Sequence, residues 1–283
     1  MTANAHMVDL WNSDAAATWW SRPERYDAML APFGERVLGA AALTAGEQVL
    51  DVGCGAGQLS LQAASVVGPT GRVTASDIST ALLAVAQRRA ADAGLGNVDV
   101  LEADAQTHSF TAASYDVVLS RFGVMFFADP VAAFANLLAA TRPGGRLAFV
   151  CWQPAPLNEW VTVPLFAAGP HVGFPEPPAP GAPGPFAFGE PDRVRQVLGD
   201  AGWADVALDD VRTTTTPGGA RSAAEAVAFI CEDTFGKTML AKAEPAVREA
   251  AIAALTTAYE ERVRDGRVQL DAAVWVVTAR RVS

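Results

Sequence analysis

The chain has 283 residues, of which 51% are hydrophobic and 18% charged, enough apolar surface for one large core and too much for a disordered chain. A net charge of −10 speaks against a nucleic-acid partner, because binding a phosphate backbone needs a basic face. Cys54, Cys151 and Cys231 are odd in number and far apart, which suggests no disulfide framework; with no basic-then-apolar leader and no apolar run of the ~20 residues a bilayer needs, a cytoplasmic protein without a membrane span is expected.

Residues 1–45 carry apolar residues at three- and four-residue steps in WNSDAAATWW and RYDAMLAPFGERVLGAAAL, predicting helices broken at Pro23 and Pro32. EQVLDV (47–52) is a short apolar strand. Helical spacing runs from Gln58 to Val67 and stops at Gly68-Pro69. RVTASDI (72–78) is a second strand, after which Ser79 or Thr80 caps a helix to about Ala93, closed by Gly94. NVDVLEA (97–103) and YDVVLS (115–120) are the third and fourth strands. Asp129-Pro130 opens a helix through Ala140, RPGG (142–145) reads as a turn, and GRLAFVCW (145–152) as the fifth strand. Strands alternating with helices at this spacing predict βαβ units and a parallel sheet covered on both faces, with all five strands buried.

The texture then changes. Residues 153–190 hold ten of the eighteen prolines and few charges, too apolar for a flexible linker, so a folded insertion or lid is expected. PDRVRQVLGDAGW (191–203) resumes as helix and ADVALDDVRT (204–213) as strand; 221–264 is mostly helical, and AAVWVVTARR (272–281) is a final strand.

The stretch VLDVGCGAG (49–57) carries the chemistry. An apolar strand stops near an acid, Asp51, and glycines follow at 53, 55 and 57. In a doubly wound sheet ligands lie beyond the C-terminal strand ends, and the first strand-to-helix turn must let backbone approach them closely, which glycine allows. The dinucleotide fingerprint G-x-G-x-x-G is not met, since Gln58 stands where the third glycine belongs. A carboxylate at Asp51 disfavours a pyrophosphate and suits an ammonium or sulfonium. Asp77 ends the second strand, where it can accept ribose hydroxyls, and Asp104 follows the third, where it can accept an exocyclic amine of adenine. The loop thus reads as a seat for a nucleoside with a positively charged tail.

VLDVGCGAG, VTASDIS, LEADAQ, YDVVLSRFGVMFF and RPGGRLAF together closely resemble the class I S-adenosylmethionine-dependent methyltransferases, within them most of all the branch related to ubiquinone and menaquinone biosynthesis. The resemblance is specific over roughly 45–152. It implies an α/β, doubly wound, Rossmann-like sheet of seven strands whose last strand is antiparallel, with 204–213 and 272–281 as strands six and seven. It implies S-adenosyl-L-methionine as cofactor, held by Asp51, Gly53, Cys54, Gly55, Gly57, Gln58, Asp77, Ile78, Asp104, Ala105, Ser120 and Arg121. The expected organisation is an N-terminal helical lid (1–45), a cofactor-binding core (46–152), a proline-rich substrate cap (153–190), and the rest of the sheet (191–283) with a helical insertion over 220–265.

A sulfonium methyl needs alignment and exclusion of water more than activation, so no obligatory catalytic residue is expected. His171, in the apolar insertion, and Tyr26 are the candidate bases; His6 and His108 read as structural or terminal. The aromatic-rich segments on either side of the core suggest an apolar acceptor pocket drawn from Trp20, Tyr26, Phe122, Met125, Phe126, Trp152 and Trp160, and hence an apolar or aromatic small molecule as partner, with the protein a monomer or homodimer. A nicotinamide-dependent reductase would want a lysine four residues after a tyrosine, where Leu30, Leu119 and Val263 stand instead. A base-flipping methyltransferase would want an acid or asparagine with two prolines and an aromatic after strand four, where Ser120, Arg121, Phe122 and Gly123 stand. A protein that binds the cofactor but catalyses a rearrangement or cyclisation remains the alternative. The paired acids Asp209 and Asp210 read as solvating a strand, so no metal is expected.

Overall fold

In the computed structural model, which describes residues 4–179 and 181–282, the N-terminal apolar steps become α1 (Ala5–Trp11), α2 (Ala17–Ser21) and α3 (Pro23–Ala41). The alternating section follows as β1 (Gln48–Val52), α4 (Gln58–Val67), β2 (Arg72–Asp77), α5 (Thr80–Asp92), β3 (Val98–Glu102), β4 (Tyr115–Arg121), α6 (Pro130–Ala140) and β5 (Thr141–Trp152). Beyond it come α7 (Glu159–Val172), α8 (Pro191–Asp200), β6 (Ala204–Thr215), α9 (Ala223–Glu232), α10 (Thr234–Leu240), α11 (Pro245–Glu260), a two-residue hairpin of β7 (Val263–Arg264) and β8 (Arg267–Val268), and β9 (Leu270–Arg280). Local chemistry sets several boundaries. Ser79 Oγ accepts the Leu82 N–H at the start of α5, Asp129 accepts the Ala132 N–H at the start of α6, and prolines open α3, α6 and α8.

Seven strands form one sheet in the order β3-β2-β1-β4-β5-β9-β6. β1 to β5 pair in parallel, and β9 runs antiparallel to both of its neighbours, as the resemblance implies. Val49, Leu50, Val117, Val118 and Leu119 of the central strands are fully buried and anchor the main core. Among the described residues no helix is long and apolar enough to cross a membrane.

Three expectations are corrected. β3 is an edge strand and only half-buried, because nothing pairs beyond it, so not all five strands are covered on both sides. RPGG lies inside β5: the register passes from Tyr115↔Thr141 to Val117↔Arg146, so 142–145 bulge out of a strand that begins at Thr141. Pro32 does not break its helix. It removes the N–H that would reach the Ala28 carbonyl, while side chains brace the same turn, Thr215 Oγ1 donating to the Met29 carbonyl at 2.7 Å and Arg121 Nη1 to the Leu30 carbonyl at 3.4 Å. The proline-rich insertion also carries regular structure: α7 has Pro164 and Pro170 within it, while 173–179 is exposed and without helix or strand and 181–190 runs in turns and bends. α7 joins α9, α10 and α11 in a second apolar cluster built on Val163, Phe229, Ile230, Leu255 and Tyr259, so the two insertions make one cap, which Tyr26 of α3 also enters.

Candidate cofactor and acceptor site

The glycine loop is built by crowding and by an acid. Gly53 has φ +68°, and a Cβ there would sit 2.7 Å from the Gly123 Cα, so only glycine lets the loops after β1 and β4 touch. Gly55 faces open space. Asp77 pins the loop: its Oδ2 accepts the Gly55 N–H and its Oδ1 the Ser79 N–H, both at 2.9 Å. Arg89 of α5 straps the loop from above, donating to the Ala56 carbonyl at 2.8 Å and pairing with Asp27 of α3.

Two acids each keep a buried oxygen without a partner among the described residues, Asp51 Oδ1 and Asp104 Oδ2. Asp51 Oδ2 accepts the Ser60 hydroxyl at 2.5 Å. Burial pushes the Asp51 carboxyl up to about 6, against the pull of Ser60 and Arg121 and with help from Asp77. Burial also raises Asp77, opposed by the N–H groups of Ser79, Gly55 and Ile78. Asp104 Oδ1 accepts the Asn4 amide at 2.8 Å and the Gln106 N–H at 3.0 Å. A buried acceptor without a donor is costly. Orphaned oxygens at two of three successive strand ends therefore fit a ligand with an ammonium at one end and an amine-bearing base at the other.

The remaining loop residues have visible duties. Ser120 Oγ donates to the Val52 carbonyl at 2.7 Å and accepts the Gly123 N–H at 3.1 Å, tying β4 to β1. Gln58 opens α4 and accepts from Arg121. Cys54 is buried, its thiol pushed up by burial and by Asp77 and Asp51. Ala105 is buried, with its carbonyl on the Asn136 amide at 2.9 Å.

A cover over the adenosine side was not expected in this form. Asn4 donates to Asp104 and to Gln106 Oε1, and its Oδ1 accepts the Ala128 N–H at 2.8 Å. Asn12 donates to the Ile78 carbonyl at 3.2 Å and accepts the Thr80 N–H at 3.1 Å. Two asparagines thus clamp α1 at both ends across the tips of β2 and β3. The other side is an open cleft between the loop and α3, lined by Trp19, Tyr26, Leu30, Asp51 and Arg121 among others.

Several candidates are displaced. His171 is exposed in the last turn of α7 and does not line the cleft. Tyr26 does line it, but its hydroxyl donates to Asp233 Oδ1 at 2.9 Å and lies 3.0 Å from Thr18 Oγ1. Burial and the Asp233 charge hold that phenol far above its ordinary range. Trp19, not Trp20, faces the cleft, since successive helical positions point about 100° apart. Trp19 stacks on Tyr26 with ring centroids 3.7 Å apart. Phe122, Trp152 and Trp160 pack on one another rather than around a void: Phe122 stacks on Trp152 at 4.3 Å, and Trp160 lies 5.1 Å from Trp152. Met125 is core, and Phe126 packs edge-on to Trp11. Asp27, Leu30, Arg89, Asn4 and Asn12 were not anticipated from the sequence; the doubled tryptophan pointed to the cleft but did not say which ring turns inward. Among the described residues no group of three or more His, Cys, Asp or Glu side chains could hold a metal ion.

Residues 49–145 match the family described as a methyltransferase domain. Aklanonic acid methyltransferase DauC of Streptomyces sp. (strain C5) is 33% identical over 193 residues, 67% of this chain and 82% of the relative. Nocamycin O-methyltransferase of Saccharothrix syringae is 34% identical over 194 residues, 64% of this chain and 69% of the relative. Among solved structures, the 4+2 cyclase SpnF superposes with a TM-score of 0.54 at 21% identity, covering 89% of this chain and 80% of that one. A phosphoethanolamine N-methyltransferase of Haemonchus contortus, solved with S-adenosyl-L-methionine, gives a TM-score of 0.54 at 19% identity, covering 100% of this chain and 60% of that one. At such identities the two structures speak for the fold alone.

Proposed function

Because this chain belongs to the S-adenosylmethionine-dependent methyltransferases, we propose that it places the cofactor's methyl group on an oxygen of an apolar, aromatic small molecule that reaches the cleft already ionised, as a carboxylate or an acidic enol. The observation that carries this reading is the cleft wall: Trp19 stacked on Tyr26, with Leu30 and Pro23, beside the glycine loop. Flat rings prefer such walls. Among the described residues none of the three histidines lines the cleft, and burial with the Asp233 charge holds the Tyr26 phenol far above its ordinary range. An acceptor with an ordinary phenol's affinity for its proton would need a base there, and a carboxylate does not. One relative is named for an acid and another for O-methyl transfer, which supports the same class.

The cofactor supplies an electrophilic sulfonium methyl when bound. The chain supplies position: Asp77 and Asp104 toward the nucleoside, Asp51 toward the ammonium, α1 as a cover that excludes water, and Trp19 as the face against which the acceptor lies. The fold shared with SpnF keeps cyclisation as the rival. The test incubates the protein with methyl-labelled cofactor and paired aromatic acceptors, one carrying a carboxylate or acidic enol and the other only a phenol, and follows products by mass spectrometry. A gain of one methyl on the acidic member is expected. Labelling of the phenols alone, or of protein or nucleic acid, or conversion without gain of a methyl, overturns the reading.

A further inference from the structure

The two edges of the sheet are finished differently. β3 is five residues long, and Asp99 on it pairs back to Arg72 of β2. A short, charge-locked edge is a common guard against pairing with another chain. β6 closes the opposite edge with twelve residues. Its one irregularity lies between Ala204 and Ala207, where Asp205 takes φ +52°. From Ala207 to Thr215 the register against β9 runs unbroken. On the far side of that run no backbone hydrogen bond is made among the described residues, so the N–H and C=O groups of alternate β6 residues point away from the sheet without a protein partner.

An antiparallel strand from a second copy would complete this edge. A two-fold axis normal to the sheet requires directly opposite residues to share a face, so the axis passes through a residue of each strand. Centred on Asp209, Asp210 or Arg212, the pairing sets a charge against its own copy. Centred on Leu208 or earlier it runs into the bulge at Asp205, and centred on Thr213 or later it runs out of strand. Centred on Val211 it sets Asp210 opposite Arg212 on both sides of the axis, Asp209 opposite Thr213 and Leu208 opposite Thr214. Asp210 and Arg212 already share a face. Arg212 Nε donates to Asp210 Oδ1 at 2.7 Å, both side chains are about half exposed, and Gln153 Nε2 donates to the same carboxylate oxygen at 2.8 Å. We propose that β6 is a homodimer interface, in which two copies pair antiparallel about Val211, joined by backbone hydrogen bonds along 207–215 and registered by reciprocal Asp210–Arg212 pairs. Backbone pairing supplies the affinity and the charges choose the register. The two sheets become one, and since the two-fold reverses strand direction, the two clefts open at opposite ends of it.

The test is sedimentation velocity of the full chain over a dilution series, with melting temperatures to check the fold of each variant. The wild type should dimerise reversibly. Asp210→Arg sets a guanidinium opposite Arg212, and Arg212→Asp sets a carboxylate opposite Asp210. Each change alters two symmetry-related pairs and should weaken the dimer roughly tenfold or more. The double variant carrying both changes should recover it, and so should an equimolar mixture of the two single variants, as a heterodimer. Val211→Cys probes the axis itself: opposite Cα atoms about 4.5–5.5 Å apart lie within disulfide reach, so mild oxidation should link two copies. The wild type, which carries the half-buried Cys231, sets the background for that link. Thr213→Cys, which faces Asp209 of the other copy, should not link. A wild type that stays monomeric at every concentration overturns the proposal. A dimer that both single reversals leave intact, that neither the double variant nor the mixture recovers, or that Thr213→Cys links as readily as Val211→Cys, uses another surface or register and overturns it too. None of these readouts involves methyl transfer, so their failure would leave the reading of the cleft untouched.

Discussion

The two halves of the cofactor site are finished in opposite ways. Over the half proposed for adenosine, the chain closes the site with its own neutral amides: Asn4 and Asn12 bond one oxygen of Asp104 and the backbone of Ile78, Thr80 and Ala128 while α1 lies across the strand tips. The methionine half is left open, with charges held apart. The difference has a physical reason. A hydrogen bond from a neutral amide, such as that of Asn4 to Asp104, is made and released at little cost, whereas a charge covered by its opposite would form an ion pair that a ligand must break. Keeping Asp51 and Arg121 unpaired stores unmet electrostatic demand for the ligand.

The largest effect should come from the point where the halves meet. Gly53→Ala would drive a Cβ into the Gly123 backbone at a φ of +68°. A strain of about 1–3 kcal/mol corresponds to a melting temperature lower by roughly 3–10 °C. Both 5′-methylthioadenosine and S-adenosylhomocysteine should lose measurable binding; retention of either by calorimetry would mean the loop does not touch both halves.

The next effect separates the halves by pH. The Asp51 carboxyl titrates near 6 in the fold, against an ordinary value of 3.8. Below about 4 both folded and unfolded chains carry the proton, and above about 6 neither does. Between these limits the fold keeps a proton that the unfolded chain has lost, so this group's contribution to stability falls as pH rises from about 4 to 6 and then levels off. A bound ammonium favours the ionised form, so affinity for S-adenosylhomocysteine should rise over the same window by up to tenfold per pH unit. Asp51→Asn should flatten both trends, leaving only what the raised Asp77 contributes. Calorimetry and melting from pH 4 to 8 decide it, and a slope undiminished in the variant would assign the titration to Asp77.

A smaller effect belongs to the cover. Asn12→Ala removes the hydrogen bonds to Ile78 and Thr80. At about 1 kcal/mol each, release of S-adenosylhomocysteine in stopped flow should quicken roughly 5- to 30-fold. An unchanged rate would show that α1 does not govern exchange. Smallest of all, Tyr26→Phe and His171→Ala should leave kcat within about 3-fold, because general acid–base catalysis contributes about 100-fold or more where it operates. A loss of that size in Tyr26→Phe, at an unchanged melting temperature, would return the phenol to the chemistry.

What the sequence shows well is whatever lies within a few residues of itself. VLDVGCGAG became β1, the loop and the start of α4, and Asp51, Asp77 and Asp104 fell at three successive strand ends because each is written next to its own strand. The helix at Gln58–Val67 was legible from local periodicity, whereas the antiparallel last strand was implied only by the family resemblance. Proline misled at Pro32, because propensity is a local preference that packing overrides.

The walls of the site were decided only in three dimensions. Tyr26 is silenced by Asp233, 207 positions away, and Asp104 is covered by Asn4, 100 positions away. Whether Trp19 or Trp20 turns inward depends on how a five-residue helix sits against its neighbours. Arg121 was expected at the cofactor site from its place after strand four, but only the fold shows that no carboxylate pairs with it among the described residues. The sequence by itself determined the sheet, the glycine loop and the three acids, since those are set by pattern within single βα units. Tertiary structure decided which aromatics line the cleft, which tyrosine can ionise and which charges stand alone, because desolvation and pairing depend on neighbours that only the packed chain supplies.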